Sequence, residues 1–135
     1  MAEETGAPAQ AKIAPKIDFV RREGFRSVYS NNIQFESFPA DLNIIFGEQS
    51  VVEGKPIVEQ HTDVRVTWTQ AKLLAYFMNV QVAAYEREHG KISIPKALLP
   101  TIAKMPEALA ANPDAQAILE LVNKMREEFI ASLAV

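Results

Sequence analysis

Between Tyr29 and Gly90 the hydrophobic period of the chain changes once: three segments alternate apolar with polar residues, and the stretch after Thr67 repeats apolar residues at helical spacing. Alternation sends one side of an extended backbone to a core and leaves the other wet, whereas a helix presents stripes. Strands followed by helices, without helices between the strands, call for an antiparallel sheet and an α+β fold.

The first alternating segment, Val28 to Phe38, places Ile33 and Phe35 on one face and Gln34 and Glu36 on the other. Pro39-Ala40-Asp41 supplies turn chemistry, because proline fixes φ and Asp bonds nearby backbone N–H groups. Leu42, Ile44 and Phe46 then alternate in a second strand that is expected to stop at Gly47, with Gly47 to Pro56 as a polar connection. In the third segment, Ile57 to Val66, period two puts Val58, Val64 and Val66 on one face and Glu59, His61, Asp63 and Arg65 on the other.

Thr67-Trp68-Thr69-Gln70 fits a capping box, in which Thr67 and Gln70 satisfy each other's backbone N–H groups. The helix it opens carries two apolar faces. Ala71, Leu74, Ala75, Met78, Val82 and Tyr85 make one; Leu73, Phe77, Val80 and Ala84 make the second; Lys72, Asn79, Glu86 and Arg87 lie on a solvated stripe. Gly90 suits the left-handed residue that ends the helix. Beyond it, Pro95, Pro100 and Pro106 break the chain into an irregular segment expected to lie across the core. Asn112-Pro113-Asp114 then provides cap, first-turn proline and acid for a last helix, with a stripe of Ile118, Leu121, Val122, Met125, Phe129 and Leu133. The expected fold is therefore a small antiparallel sheet of three or four strands packed against a long amphipathic helix, plus a C-terminal helix.

With 135 residues, 48% of them hydrophobic, one α+β domain is expected over residues 17–135. Met1 to Lys16 is rich in Ala, Pro and Glu and reads as a flexible tail. Lys16 to Arg26 reads as an arm whose Ile17, Phe19, Val20 and Phe25 dock while Arg21, Arg22 and Arg26 stay solvated. A net charge of -3 argues against general affinity for nucleic acid or anionic membrane. Absent cysteine removes disulfides, thiolate metal sites and cysteine nucleophiles. The sequence holds no run near the ~20 apolar residues of a membrane span, and the acidic N-terminus is unlike a secretory signal, so a cytoplasmic location is expected.

Candidate chemistry is thin. Glu59, His61, Asp63 and Arg65 share a face, but neighbours there stand about 6.5–7 Å apart along the strand, so two of them can converge on a metal or ligand while three need help from another strand; an exposed polar sheet face is the stronger reading. His89 is expected to face the carbonyls at the helix end. Arg21, Arg22 and Arg26, with Phe19 and Phe25 among them, offer phosphate contacts and base stacking, against which the acidic balance weighs. Phosphate loop, metal-binding helix motif and nucleophile elbow are all missing from the sequence, so neither enzyme activity nor a cofactor is expected. The sharper feature is the second helix face of Leu73, Phe77, Val80 and Ala84, which calls for cover by the Asn112–Leu133 helix or by a second subunit, because a contiguous apolar patch is rarely left in water. Together with the unpaired sheet edges, it points to self-association as a dimer or higher oligomer, or to a polypeptide partner.

Tyr29-Ser30-Asn31, Pro39-Ala40-Asp41-Leu42, Phe46-Gly47, Thr67, Ala71-Lys72, Tyr85-Glu86 and Gly90-Lys91-Ile92 together make the stretch from Val28 to Ile94 resemble a small bacterial family catalogued as domain of unknown function number 3467. The resemblance implies a shared fold and brings no reaction with it; the proline usual after the helix cap is Trp68 here. At the level of architecture, the order of strands and helices also looks like the SecB export chaperone. The leading expectation is a non-catalytic, self-associating interaction module. A SecB-like holder of unfolded polypeptide and a ligand or nucleic-acid binder working through the arginine arm are the alternatives.

Overall fold

Alternating residues do pair as a meander. The computed structural model describes residues 15–133 and forms a three-stranded antiparallel sheet from β1 (Asn32–Ser37), β2 (Asp41–Val52) and β3 (Lys55–Thr67), in the order β1-β2-β3. Helix α1 (Trp68–His89) follows directly, then single 3-10 turns at Lys96–Leu98 and Glu107–Leu109, then helix α2 (Pro113–Leu133). The class is α+β, as expected. The tail read over Met1 to Lys16 falls outside the described residues except for its last two positions. The chain forms two compact units, Met1–Trp68 and Thr69–Val135.

In the first unit, the β1–β2 hairpin closes where Phe38 N donates to the Asp41 carbonyl at 2.9 Å, and the Trp68 indole N–H adds a 2.8 Å bond to the Phe38 carbonyl. Two boundaries differ from expectation. β1 begins at Asn32 rather than Val28: Asn31 N still donates to the Gly47 carbonyl at 3.2 Å, and beyond it the side chains of Ser30 and Asn31 make the contacts with β2. The polar connection expected from Gly47 to Pro56 does not exist: β2 runs on to Val52, turns through Glu53 and Gly54, both at positive φ (50° and 75°), and returns as β3. Two consecutive positive φ angles match the twist of flanking strands and make a tight two-residue turn. The β-branched Val51, Val52, Ile57 and Val58 extend the ribbon on either side. Among the described residues there is no fourth strand.

In the second unit, Gly90 at φ 87° ends α1, with Gly90 N bonded to the Glu86 carbonyl at 2.9 Å. The Glu86 carboxylate accepts from Ile92 N at 2.8 Å and holds the chain as it leaves the helix. Asn112 caps α2 as expected, its side-chain oxygen accepting from Asp114 N at 2.9 Å and Ala115 N at 3.4 Å. The proline-broken segment is strapped to α2: Asn123 both accepts from Ala103 N (2.9 Å) and donates to the Ala103 carbonyl (3.3 Å), and Arg126 Nε donates to the Pro100 carbonyl at 2.8 Å.

That strap sets the packing of α2. The half-buried residues are Ala115, Leu119, Asn123, Arg126 and Ile130, while the stripe of Ile118, Leu121, Val122, Met125, Phe129 and Leu133 stays exposed. At about 100° per residue the two sets are roughly a quarter turn apart. The backbone of an irregular segment needs hydrogen-bond partners as well as apolar cover, and Asn123 and Arg126 decide which face it takes. Ile44, at 6% exposed, is the buried hydrophobic residue among those described, with Asn43 and Gly47 beside it in β2. Neither helix buries a residue.

Candidate functional site

The polar cluster on β3 is rearranged by a single extra residue. β2 and β3 pair Phe46 with Thr62 but Gly47 with Gln60, which leaves His61 without an opposite number as a β-bulge. Cross-strand partners share a face, so the register assigns Asp63 and Arg65 to the side of Ile45, Asn43, Gln34 and Glu36. Beyond the bulge the alternation is inverted: Gln60 joins that side, and Glu59 moves to the side of Ile44, Val64 and Val66. A 3.4 Å bond from Gln60 Nε2 to Gln34 Oε1 crosses the sheet on the first of these sides. The expected shared face of Glu59, His61, Asp63 and Arg65 is therefore corrected, because alternation counted along a sequence fails at a bulge.

His61 is held by both ring nitrogens. Nε2 lies 2.8 Å from the Tyr29 carbonyl and Nδ1 lies 2.8 Å from the Thr62 hydroxyl. A carbonyl only accepts, so Nε2 carries a proton, and Nδ1 accepts from Thr62 in the neutral ring. With both nitrogens engaged, His61 serves as a brace from β3 to the segment leading into β1. Ser30 Oγ sits 2.9 Å from both the Asn32 and Gly47 carbonyls, and Asn31 pairs with the Gln49 backbone, accepting from its N–H at 2.6 Å and donating to its carbonyl at 3.2 Å. Asn31 thus acts as a substitute peptide that lengthens the ladder by one step. Gly47 completes the cluster, since a Cβ there would stand 2.8 Å from the Glu59 carbonyl and 2.9 Å from Val58 Cγ1. Tyr29-Ser30-Asn31 and Gly47 stand out separately along the sequence; their meeting around the bulge has no linear signal.

The remaining polar candidates carry little. Asp63 Oδ2 and Arg65 Nε are 3.9 Å apart and well exposed, a geometry worth at most about 1 kcal/mol. No group of three or more His, Cys, Asp or Glu suited to a metal occurs among the described residues. His89 meets the expectation made for it, with Nδ1 3.2 Å from the Tyr85 carbonyl and its ring stacked on Tyr85 at 4.5 Å. In the arm, the Arg21 guanidinium lies 4.6 Å over the Phe25 ring, and Phe25 N donates to the Arg22 carbonyl across a turn at Gly24; Arg26 is exposed. Docking of the arm's apolar residues is corrected: Phe19 is 94% exposed, and Ile17, Val20 and Phe25 are also open, because a cation over one ring and a single turn give the segment no apolar surface to lie on.

What stands out is α1. Its second face is open along its whole length, with Leu73 at 45%, Phe77 at 54% and Val80 at 43% exposed, Ala84 exposed too, and Tyr76 packed edge-on against Phe77 at 5.4 Å. On its first face Ala71 and Leu74 are half-buried, while Met78, Val82 and Tyr85 are open. No helix among the described residues is long and apolar enough to cross a membrane.

No curated protein and no solved structure matches the chain, so the likeness to the SecB chaperone gains no support. A family model does match, over residues 1–94, which takes in the whole sheet, the bulge cluster, α1 and the Glu86–Ile92 tie. The chain belongs to this family, described as Protein of unknown function (DUF3467).

Proposed function

We propose that this protein is a non-catalytic, self-associating interaction module whose principal binding surface is α1. The single observation that carries the reading is burial: Ile44 is the buried hydrophobic residue among those described, while α1 and α2 bury no residue and leave Phe77, Val80, Ile118, Leu121 and Met125 open. Apolar surface removed from water contributes roughly 25 cal/mol per Å², and a chain with so little buried gains most of that contribution on association. The polar residues support the same reading from the other direction. Ser30, Asn31, Glu86 and Asn123 spend their side-chain hydrogen bonds on the protein's own backbone, and His61 spends its two on the Tyr29 carbonyl and the Thr62 hydroxyl, so these polar side chains are engaged in holding the fold.

Light scattering across micromolar concentrations tests this directly. The expected result is a mass above one chain that falls on dilution; a strictly monomeric species with unchanged secondary structure would refute it.

A further inference from the structure

We infer that α1 pairs with α1 of a second copy, antiparallel, about a two-fold axis that passes between Met78 and Asn79. This rests on the self-association proposed above and specifies its geometry. Leu73, Phe77, Val80, Ala84 and Arg87 follow one another at spacings of four, three, four and three, the seam of a heptad repeat. Reversed against itself about that axis, the seam sets Leu73 opposite the second copy's Ala84 and Phe77 opposite its Val80, and repeats both layers by symmetry. Each layer combines a large side chain with a smaller one, the pairing that close-packed interfaces favour. A parallel arrangement instead sets Phe77 against Phe77 and Ala84 against Ala84, crowding one layer and leaving a gap in another. At the ends of the antiparallel seam, Thr69 and Gln70 lie opposite Glu88 and Arg87, so no like charges meet, and the two helix dipoles oppose.

The surface is of the right extent. Leu73, Tyr76, Phe77 and Val80 are 43–62% exposed, which at roughly 200 Å² per large side chain is about 400 Å² of open apolar surface from one copy. Two copies cover about 800 Å², and the flanking Gln70, Ala84, Arg87 and Glu88 bring the total toward the roughly 1,200–2,000 Å² of a standard interface. One of the two sheet edges is less open: the β3 edge is interrupted by the bulge at His61 and carries the charged Asp63 and Arg65, features that oppose edge-to-edge pairing. Among the faces of α1, this seam is also the one with no half-buried member.

A charge-complementation experiment separates the register from self-association itself. Phe77→Lys and Val80→Glu are made singly in the full chain, and mass is measured by light scattering with helix content followed by circular dichroism. Each variant alone is expected to be monomeric and helical at concentrations where the wild type is dimeric, with its dissociation constant raised at least about 100-fold, as expected for an unpaired charge in a desolvated seam. An equimolar mixture is expected to restore a heterodimer. In one layer the introduced lysine of one copy meets the introduced glutamate of the other, and in the second layer the unaltered Val80 and Phe77 meet as in the wild type. A dimer in both variants would overturn the seam, and so would monomers that the mixture fails to restore, the outcome a parallel pair gives. A monomeric wild type would instead sink the self-association on which the inference stands. As a check that does not depend on a disruptive substitution, the cysteine-free chain accepts one spin label at Arg87→Cys. Labels on antiparallel partners stand about 25 Å apart along the axis, at about 1.5 Å per residue, whereas parallel partners would hold them within about one helix diameter, near 10 Å; the shorter separation would overturn the orientation.

Discussion

Replacing Gly47 by Ala pits two known effects against each other. Gly47 does not sit in the left-handed region, so alanine is compatible with its backbone and, by reducing the freedom of the unfolded chain, would by itself stabilise by about 0.4–1 kcal/mol. Its Cβ, however, would stand 2.8 Å from the Glu59 carbonyl oxygen, 2.9 Å from Val58 Cγ1 and 3.3 Å from Gln60 Cα. Two of those atoms are backbone and the third belongs to a β-branched side chain with little rotamer freedom. Relief therefore requires β3 to move at the bulge, where Asn31 and Ser30 also hold β2, and overpacking of this kind costs roughly 1–3 kcal/mol. The steric effect wins, and the expected net loss is about 1–2 kcal/mol. For a unit of this size that is a fall in melting temperature of about 4–16 °C, read by urea and thermal unfolding at one fixed protein concentration so that any association is held constant. Gly47→Ala combined with Val58→Ala should recover part of the loss by removing Cγ1 while leaving the carbonyl contact. A Gly47→Ala protein as stable as the wild type, or more so, would refute the close approach of β2 and β3 and with it the account of the bulge.

Asn31→Ala removes both side-chain bonds to Gln49 and should cost about 1–2 kcal/mol; hydrogen exchange at the Gln49 amide should quicken, and unchanged protection there would contradict the substitute-peptide role. Thr67→Ala should destabilise by about 1 kcal/mol, in line with a lost N-cap, and an unmoved denaturation midpoint would place the start of α1 elsewhere. Asn123→Ala frees the Ala103 backbone from α2, so limited proteolysis should cut between Pro95 and Pro106 several-fold faster while the far-ultraviolet spectrum changes little; equal cleavage rates would show that the strap is held by other contacts.

Much of the framework was legible because it depends on local chemistry. The hairpin at Pro39-Ala40-Asp41, the end of α1 at Gly90 and the cap at Asn112 each follow from what one or two residues permit φ and ψ to be, or from which side chain reaches the nearest free N–H. The two apolar faces of α1 were equally plain, since helical spacing is a property of the sequence alone. Where reading along the chain failed, a residue distant in sequence decided the outcome. The bulge at His61 moves Glu59 to the other side of the sheet, and no count of alternation detects an unpaired residue until its partner strand is known. Likewise the ribbon from Gly47 to Pro56 looked polar segment by segment and became two strands only through its pairing.

The amino-acid order by itself determined the helices, their caps and the α+β class, because these depend on interactions between residues a few positions apart. Tertiary structure decided which surfaces are covered. Asn123 and Arg126 drew the 95–106 segment onto one side of α2 and left its most apolar stripe open, and Tyr29, Asn31, Gly47 and His61 came together only once β2 lay between the chain segments that carry them. Hydrophobic attraction is proportional to area and has no direction, so it makes a face sticky without naming its partner. Hydrogen bonds have direction, and in this chain it is they that choose which apolar faces are closed and which remain open.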